Sequence, residues 1–116
     1  MLLIEVKRMI YSIDELRKRI SPVAEKYDLR AVYLFGSYAR NEATESSDID
    51  ILIDRTGSKV KSLFDLGGLY NDLCASVGSE VDLITTYALT QDGENDRTPY
   101  LTENIMRERV SIYEQQ

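Results

Sequence analysis

Two aspartates, Asp48 and Asp50, stand two residues apart in the run Ser47-Asp48-Ile49-Asp50-Ile51-Leu52. On an extended strand, residues at i and i+2 project from the same face, so this spacing sets two carboxylates side by side. Charges that close repel, and one of them takes up a proton unless a cation neutralises both. Mg2+ suits such a pair, because it takes oxygen ligands and is commonly held by one or two carboxylates plus substrate phosphates. A strand face turned to solvent would carry the same residues for no chemical reason. A third carboxylate, Asp82, sits in Val81-Asp82-Leu83 between apolar neighbours that point the other way. If its strand pairs beside the one bearing Asp48 and Asp50, three carboxylates can hold two cations. Two cations clamp the attacking and leaving oxygens of a phosphoryl transfer. Asp82 could also take the acceptor's proton, or simply guard a sheet edge against aggregation.

Gly36-Ser37 is the complementary feature. It follows directly on Arg30-Ala-Val-Tyr-Leu-Phe35, which reads as a central strand. Glycine lets backbone approach a phosphate, and the serine hydroxyl can donate to a phosphate oxygen. If Ser37 opens a short helix over Ser37 to Arg40, its free N–H groups and dipole add to the attraction for anions. A Gly-Ser pair at a strand end is also a common turn, so the pair carries weight only together with the aspartates.

Composition narrows the chemistry further. The chain has 116 residues, 43% of them apolar and 29% charged, which fits a single domain over 1–116 with one core. Acidic residues outnumber basic ones 20 to 14, giving a net charge of −6 and a pI near 4.6. Proteins that grip a nucleic-acid duplex neutralise phosphates with clustered Lys and Arg, so direct nucleic-acid binding is disfavoured. Histidine is absent, which removes histidine-ligated zinc, catalytic triads and any histidine base. The lone Cys74 has no partner for an internal disulfide, and it falls on an apolar helix face as a core residue. No apolar run approaches the roughly 20 residues that span a bilayer. Met1 to Val6 is short and precedes Lys7 and Arg8, the reverse of a signal peptide. A cytoplasmic location is the expectation.

The elements around these residues follow from periodicity. Ser12 with Glu15 has capping-box spacing, and Ile13, Leu16 and Ile20 continue at helical intervals. Pro22 should kink that helix or start a second piece at Ser21, reaching about Tyr27. Asp48 to Asp54 alternates strictly, with Ile49, Ile51 and Ile53 on one face and Asp48, Asp50, Leu52 and Asp54 on the other. Leu63, Leu66, Leu69, Tyr70, Leu73, Cys74 and Val77 mark one face of a helix, with Gly78 as its cap. Gly67 and Gly68 inside it call for close packing against the sheet. Glu80 to Thr85 reads as a third strand, and 91–99 as a polar loop. A last helix is expected over Tyr100 to Val110, with Leu101, Ile105, Met106 and Val110 inward. Leu2, Leu3, Ile4, Val6 and Ile10 could add a strand, meet a partner or dimerise the chain. The sum is an α/β (α+β) fold, a short mixed sheet packed against helices.

Gly36-Ser37-Tyr38-Ala39-Arg40, ten residues after Ser37, then Asp48-Ile49-Asp50 resembles the signature of the DNA polymerase β-type nucleotidyltransferases. The G-S-x10-D-x-D form is similar to the minimal nucleotidyltransferase (MNT) branch. The stretch Thr102 to Arg107 and Ile112 to Glu114 is similar to the tails of these short proteins, so the likeness runs from Ser12 to Glu114. It implies a small polymerase β-like fold in which Gly36 and Ser37 hold the triphosphate and Arg40 meets a phosphate or a partner, though Arg40 could equally be a solvated charge at a helix end. It further implies that Asp48, Asp50 and Asp82 hold Mg2+, two ions in the usual form, and carry the catalysis. Tyr38, beside Ser37, could stack on the base. One departure is that Asn41 and Glu42 follow Arg40 where the family often has Gly. Asn tolerates the left-handed turn, whereas Glu42 adds negative charge near the site.

The resemblance also implies a reaction. MNT proteins of this kind are type VII-like antitoxins that transfer AMP from ATP to a tyrosine of an α-helical HEPN-domain toxin, an RNase. The partners implied are thus a nucleoside triphosphate and a HEPN toxin, with homo-oligomers or hetero-oligomers with the toxin both compatible. Two alternatives stand beside it. A small-molecule nucleotidyltransferase subunit, as in aminoglycoside modification, would share the catalytic face, and a non-catalytic antitoxin would neutralise by binding alone.

Overall fold

The structure is a computed structural model that describes residues 10–89 and 99–116. Helix α1 spans Ile13–Lys26, with Ser12 as its N-cap accepting a hydrogen bond from the Glu15 amide at 3.0 Å. Only half of the expected capping box forms, because the Glu15 carboxylate pairs forward with Arg19 at 3.0 Å. The helix runs unbroken through Pro22, so no second piece begins at Ser21. Leu16, Ile20 and Ala24 are fully buried and carry one stripe across the proline, while Pro22 is exposed. Two buried branched side chains at roughly 1.5–3 kcal/mol each outweigh the roughly 3 kcal/mol of an interior proline.

Strand β1, Ala31–Phe35, leads into a single helical turn, α2, Gly36–Ala39. Strand β2 is Ile49–Asp54, helix α3 is Leu63–Val77 and strand β3 is Val81–Thr85. Residues 86–89 form a further helical turn. Helix α4 is Pro99–Glu108 and strand β4 is Val110–Glu114. The sheet order is β3-β2-β1-β4, with β1 antiparallel to both β2 and β4, and β2 parallel to β3.

The strict alternation on β2 sorts its side chains as expected. Ile49, Ile51 and Ile53 enter the main core with Val32, Leu34, Val81 and Ile112, under α1 and α3. Leu52 faces the other side of the sheet, in a smaller cluster with Phe35, Leu89 and Ile105. That second face also carries Asp50 and Asp82.

Several expectations are corrected. The last helix ends at Glu108, and Val110 opens β4 instead of packing inward on a helix. Met106 is 44% exposed, whereas Ile105 is buried; the Leu101 side chain lies outside the described residues. Leu63 is 84% exposed at the first turn of α3, so the apolar face of that helix begins at Leu66. Gly67 and Gly68 do not pack on the sheet. A side chain at Gly67 would meet nothing within 4 Å, and one at Gly68 would meet the Tyr27 hydroxyl of α1 at 3.3 Å. Gly78 takes the left-handed cap at φ 72°, and Ser62 with Asp65 supplies a full capping box at the other end. Leu2, Leu3, Ile4, Val6 and residues 91–98 lie outside the described residues; Ile10 is 52% exposed.

Candidate active site

Strand register builds the site. Phe35 lies opposite Asp50, and Asp50 lies beside Asp82. One row across three strands therefore brings together the end of β1, the start of β2 and the start of β3. Gly36 follows Phe35 directly, so the Gly36-Ser37 turn sits against Asp50.

Gly36 is required there twice over. Its φ is +68°, a conformation that L side chains rarely adopt. A Cβ built on it would also collide with a carboxylate oxygen of Asp50. The glycine is thus the gap into which the aspartate fits, as well as a turn residue.

Helix α2 is one turn long and its N-cap, Phe35, makes no side-chain cap. A four-residue helix has little macrodipole, so any pull on an anion comes from its uncapped amides. Ser37 is half-buried, and its carbonyl accepts the Glu42 amide at 2.8 Å. The turn closes through Asn41 at φ 59°, the left-handed conformation expected of it. Tyr38 is only 4% exposed and belongs to the main core. It is packed under the sheet and cannot present its ring to a base, which corrects that expectation.

Asp50 is half-buried, with its pKa pushed up to about 7. Desolvation is the first cause, followed by a hydrogen bond to Asp82 and the charges of Asp82 and Asp48, while Arg40 pulls the other way. The Asp50 carboxyl thus holds its proton more readily than a free one, which eases its repulsion with the neighbouring carboxylates. Asp48 lies exposed just before β2, and Asp82 is exposed near the start of β3, the strand that ends the sheet among the described residues. Among the described residues the three do not close into a preformed three-ligand cluster. The donor set still fits Mg2+: oxygen only, with Asp50 and Asp82 paired in register and a repulsion between carboxylates that a hard cation would relieve.

Arg40 caps α2, its amide bonded to the Gly36 carbonyl at 3.1 Å. Its guanidinium pairs with Glu42 at 3.1 Å and with Glu108 at 3.3 Å. Glu42 therefore does not stand as an isolated charge against the site. Glu108 was invisible to sequence reasoning: 68 residues separate it from Arg40, and no spacing marks it.

A small mixed sheet with paired aspartates beside a Gly-Ser turn defines a nucleotidyl-transfer scaffold. The sequence profile of the polymerase beta nucleotidyltransferase family matches residues 18–116, and the chain belongs to that family. It is similar to the protein adenylyltransferase MntA of Thermococcus cleftensis, 40% identical over 88 residues, covering 76% of this chain and 79% of that protein. A Methanocaldococcus jannaschii protein provisionally named a protein adenylyltransferase is 38% identical over 101 residues, covering 87% of this chain and 98% of that one. Among solved structures, a provisionally named minimal nucleotidyltransferase superposes with TM-score 0.61 at 30% identity, covering 86% of this chain and 95% of the other. A toxin–antitoxin crystal structure with AMP-PNP shares the fold at TM-score 0.61 and 21% identity, covering 86% and 74%.

Proposed function

We propose that this nucleotidyltransferase transfers AMP from ATP to a tyrosine of a HEPN-domain RNase toxin and so acts as a type VII-like antitoxin. The observation that carries the reading is the contact of Asp50 with Asp82 beside the Gly36-Ser37 turn. Support for a protein acceptor comes from the relative named protein adenylyltransferase MntA. Support for a toxin partner comes from a structure of tri-AMPylated Shewanella oneidensis HEPN toxin in complex with MNT antitoxin, a chain of which matches this fold at TM-score 0.57 and 19% identity. It covers 90% of this chain and 74% of that one.

In this reading Gly36, Ser37 and Arg40 hold the triphosphate, and Asp48, Asp50 and Asp82 hold Mg2+. The metal, when bound, neutralises the carboxylates and the phosphate charge. The acceptor oxygen attacks the α-phosphorus, the bond to the β-phosphate oxygen breaks, and pyrophosphate leaves. Asp82, exposed on β3, takes the acceptor's proton. No histidine is needed, and none is present.

Intact mass spectrometry of a HEPN partner incubated with the protein and MgATP tests this. A gain of whole AMP units on a tyrosine is expected, absent with Asp48→Asn/Asp50→Asn. An unmodified partner whose RNase activity both versions suppress would leave an antitoxin that acts by binding alone.

A further inference from the structure

The guanidinium of Arg40 is gripped from two sides. Its Nε donates to Glu42 Oε2 at 3.1 Å and its Nη1 donates to Glu108 Oε2 at 3.3 Å. A guanidinium is planar, with five N–H donors in a fixed fork. Holding Nε and Nη1 therefore fixes the plane of the group. The two N–H groups of Nη2 make no hydrogen bond among the described residues.

The two glutamates are not equivalent. Glu42 shares the loop of Arg40 and moves with it. Glu108 is the last residue of α4, a helix anchored through the buried Ile105 in the second apolar cluster. Among the described residues, only Glu108 ties the guanidinium to a separate, packed element. Arg40 also stands beside Asp50: its amide donates to the Gly36 carbonyl at 3.1 Å, and Gly36 lies against a carboxylate oxygen of Asp50. An untethered arginine there would be drawn onto the aspartates and would compete with a cation for them.

We propose that Glu108 is a positioning residue for the nucleotide: through Arg40 it holds the guanidinium off the aspartates and leaves the Nη2 edge to donate to a phosphate oxygen of the triphosphate. This rests on the nucleotide-binding reading of the site and adds to it a residue that no motif marks. Glu42 completes the grip but cannot replace the anchor.

The test is calorimetric binding of a non-hydrolysable Mg-ATP analogue to wild type, Glu108→Gln, Arg40→Ala and the double variant. Glu108→Gln keeps the shape of a half-buried side chain and removes its charge, so the melting temperature should hold. The expected result is an affinity loss of about three- to fivefold, the range of a partly exposed ion pair. Arg40→Ala should lose at least as much, and the double variant should lose no more than Arg40→Ala alone. That non-additivity is what a merely structural role would not produce. Unchanged affinity in Glu108→Gln, or losses that multiply in the double variant, would overturn the proposal while leaving the nucleotide site in place. Wild type that fails to bind the analogue would overturn the nucleotide reading and this one with it. No acceptor takes part, so failure of AMP transfer to a toxin is a separate result.

Discussion

A half-buried carboxyl beside two others destabilises the fold that carries it whenever it is ionised. Asp50 has a folded pKa raised to about 7 from 3.8, chiefly by desolvation. Its contribution to stability is therefore fully present below about pH 4 and is lost as pH rises through about 7. Removing the charge should help most where it is expressed. Metal-free Asp50→Asn should melt above wild type at pH 8, and the gap should close toward pH 5. An equal gap at both pH values would contradict the assignment. Gly36 is the second residue with two reasons to be what it is. Gly36→Ala combines positive-φ strain with displacement of Asp50 and should cost about 1–3 kcal/mol in denaturant unfolding. The positions of Gly36, Ser37, Asp48, Asp50 and Asp82 were legible because a period of two and a strand-end turn are local patterns. Glu108 was not, since only tertiary packing brings it to Arg40, and the burial of Tyr38 was not, since a tyrosine suits either a core or a surface.

Elements were legible where their ends carry chemistry of their own. Helix α3 begins and ends where Ser62, Asp65 and Gly78 satisfy its terminal groups. Ser62→Ala should cost about 1 kcal/mol by loss of that cap. Gly67→Ala should instead stabilise by about 0.5–1 kcal/mol, since open space surrounds it and helical alanine is favoured. Urea unfolding of both variants checks the two signs. Strand β4 was illegible for a physical reason. Val110 and Ile112 extend the apolar positions of the preceding helix, and five residues are too few to impose their own period. Pairing of Val110 to Glu114 with β1 decides their conformation. Pro22 misled in the opposite sense, because a local penalty was set against buried side chains that local reasoning cannot weigh.

Across the whole molecule, the order β3-β2-β1-β4 puts the parallel pair β2 and β3 at one side of the sheet and aligns Phe35, Asp50 and Asp82 in one row. Among the described residues, no helix is long and apolar enough to cross a membrane. A net charge of −6 makes any cation mildly stabilising, so a specific site must be separated from general screening. Mg2+ should raise the melting temperature above that in sodium chloride of matched ionic strength. Asp48→Asn/Asp50→Asn should respond to the two salts alike. The central claim, that the Asp50–Asp82 pair beside Gly36-Ser37 transfers a nucleotidyl group, is tested most directly with labelled ATP and a HEPN partner. Label on the α-phosphate should enter the acceptor, label on the γ-phosphate should leave as pyrophosphate, and Asp48→Asn/Asp50→Asn should do neither. Retention of γ-label on the acceptor, or equal α-labelling by wild type and the double variant, would contradict it.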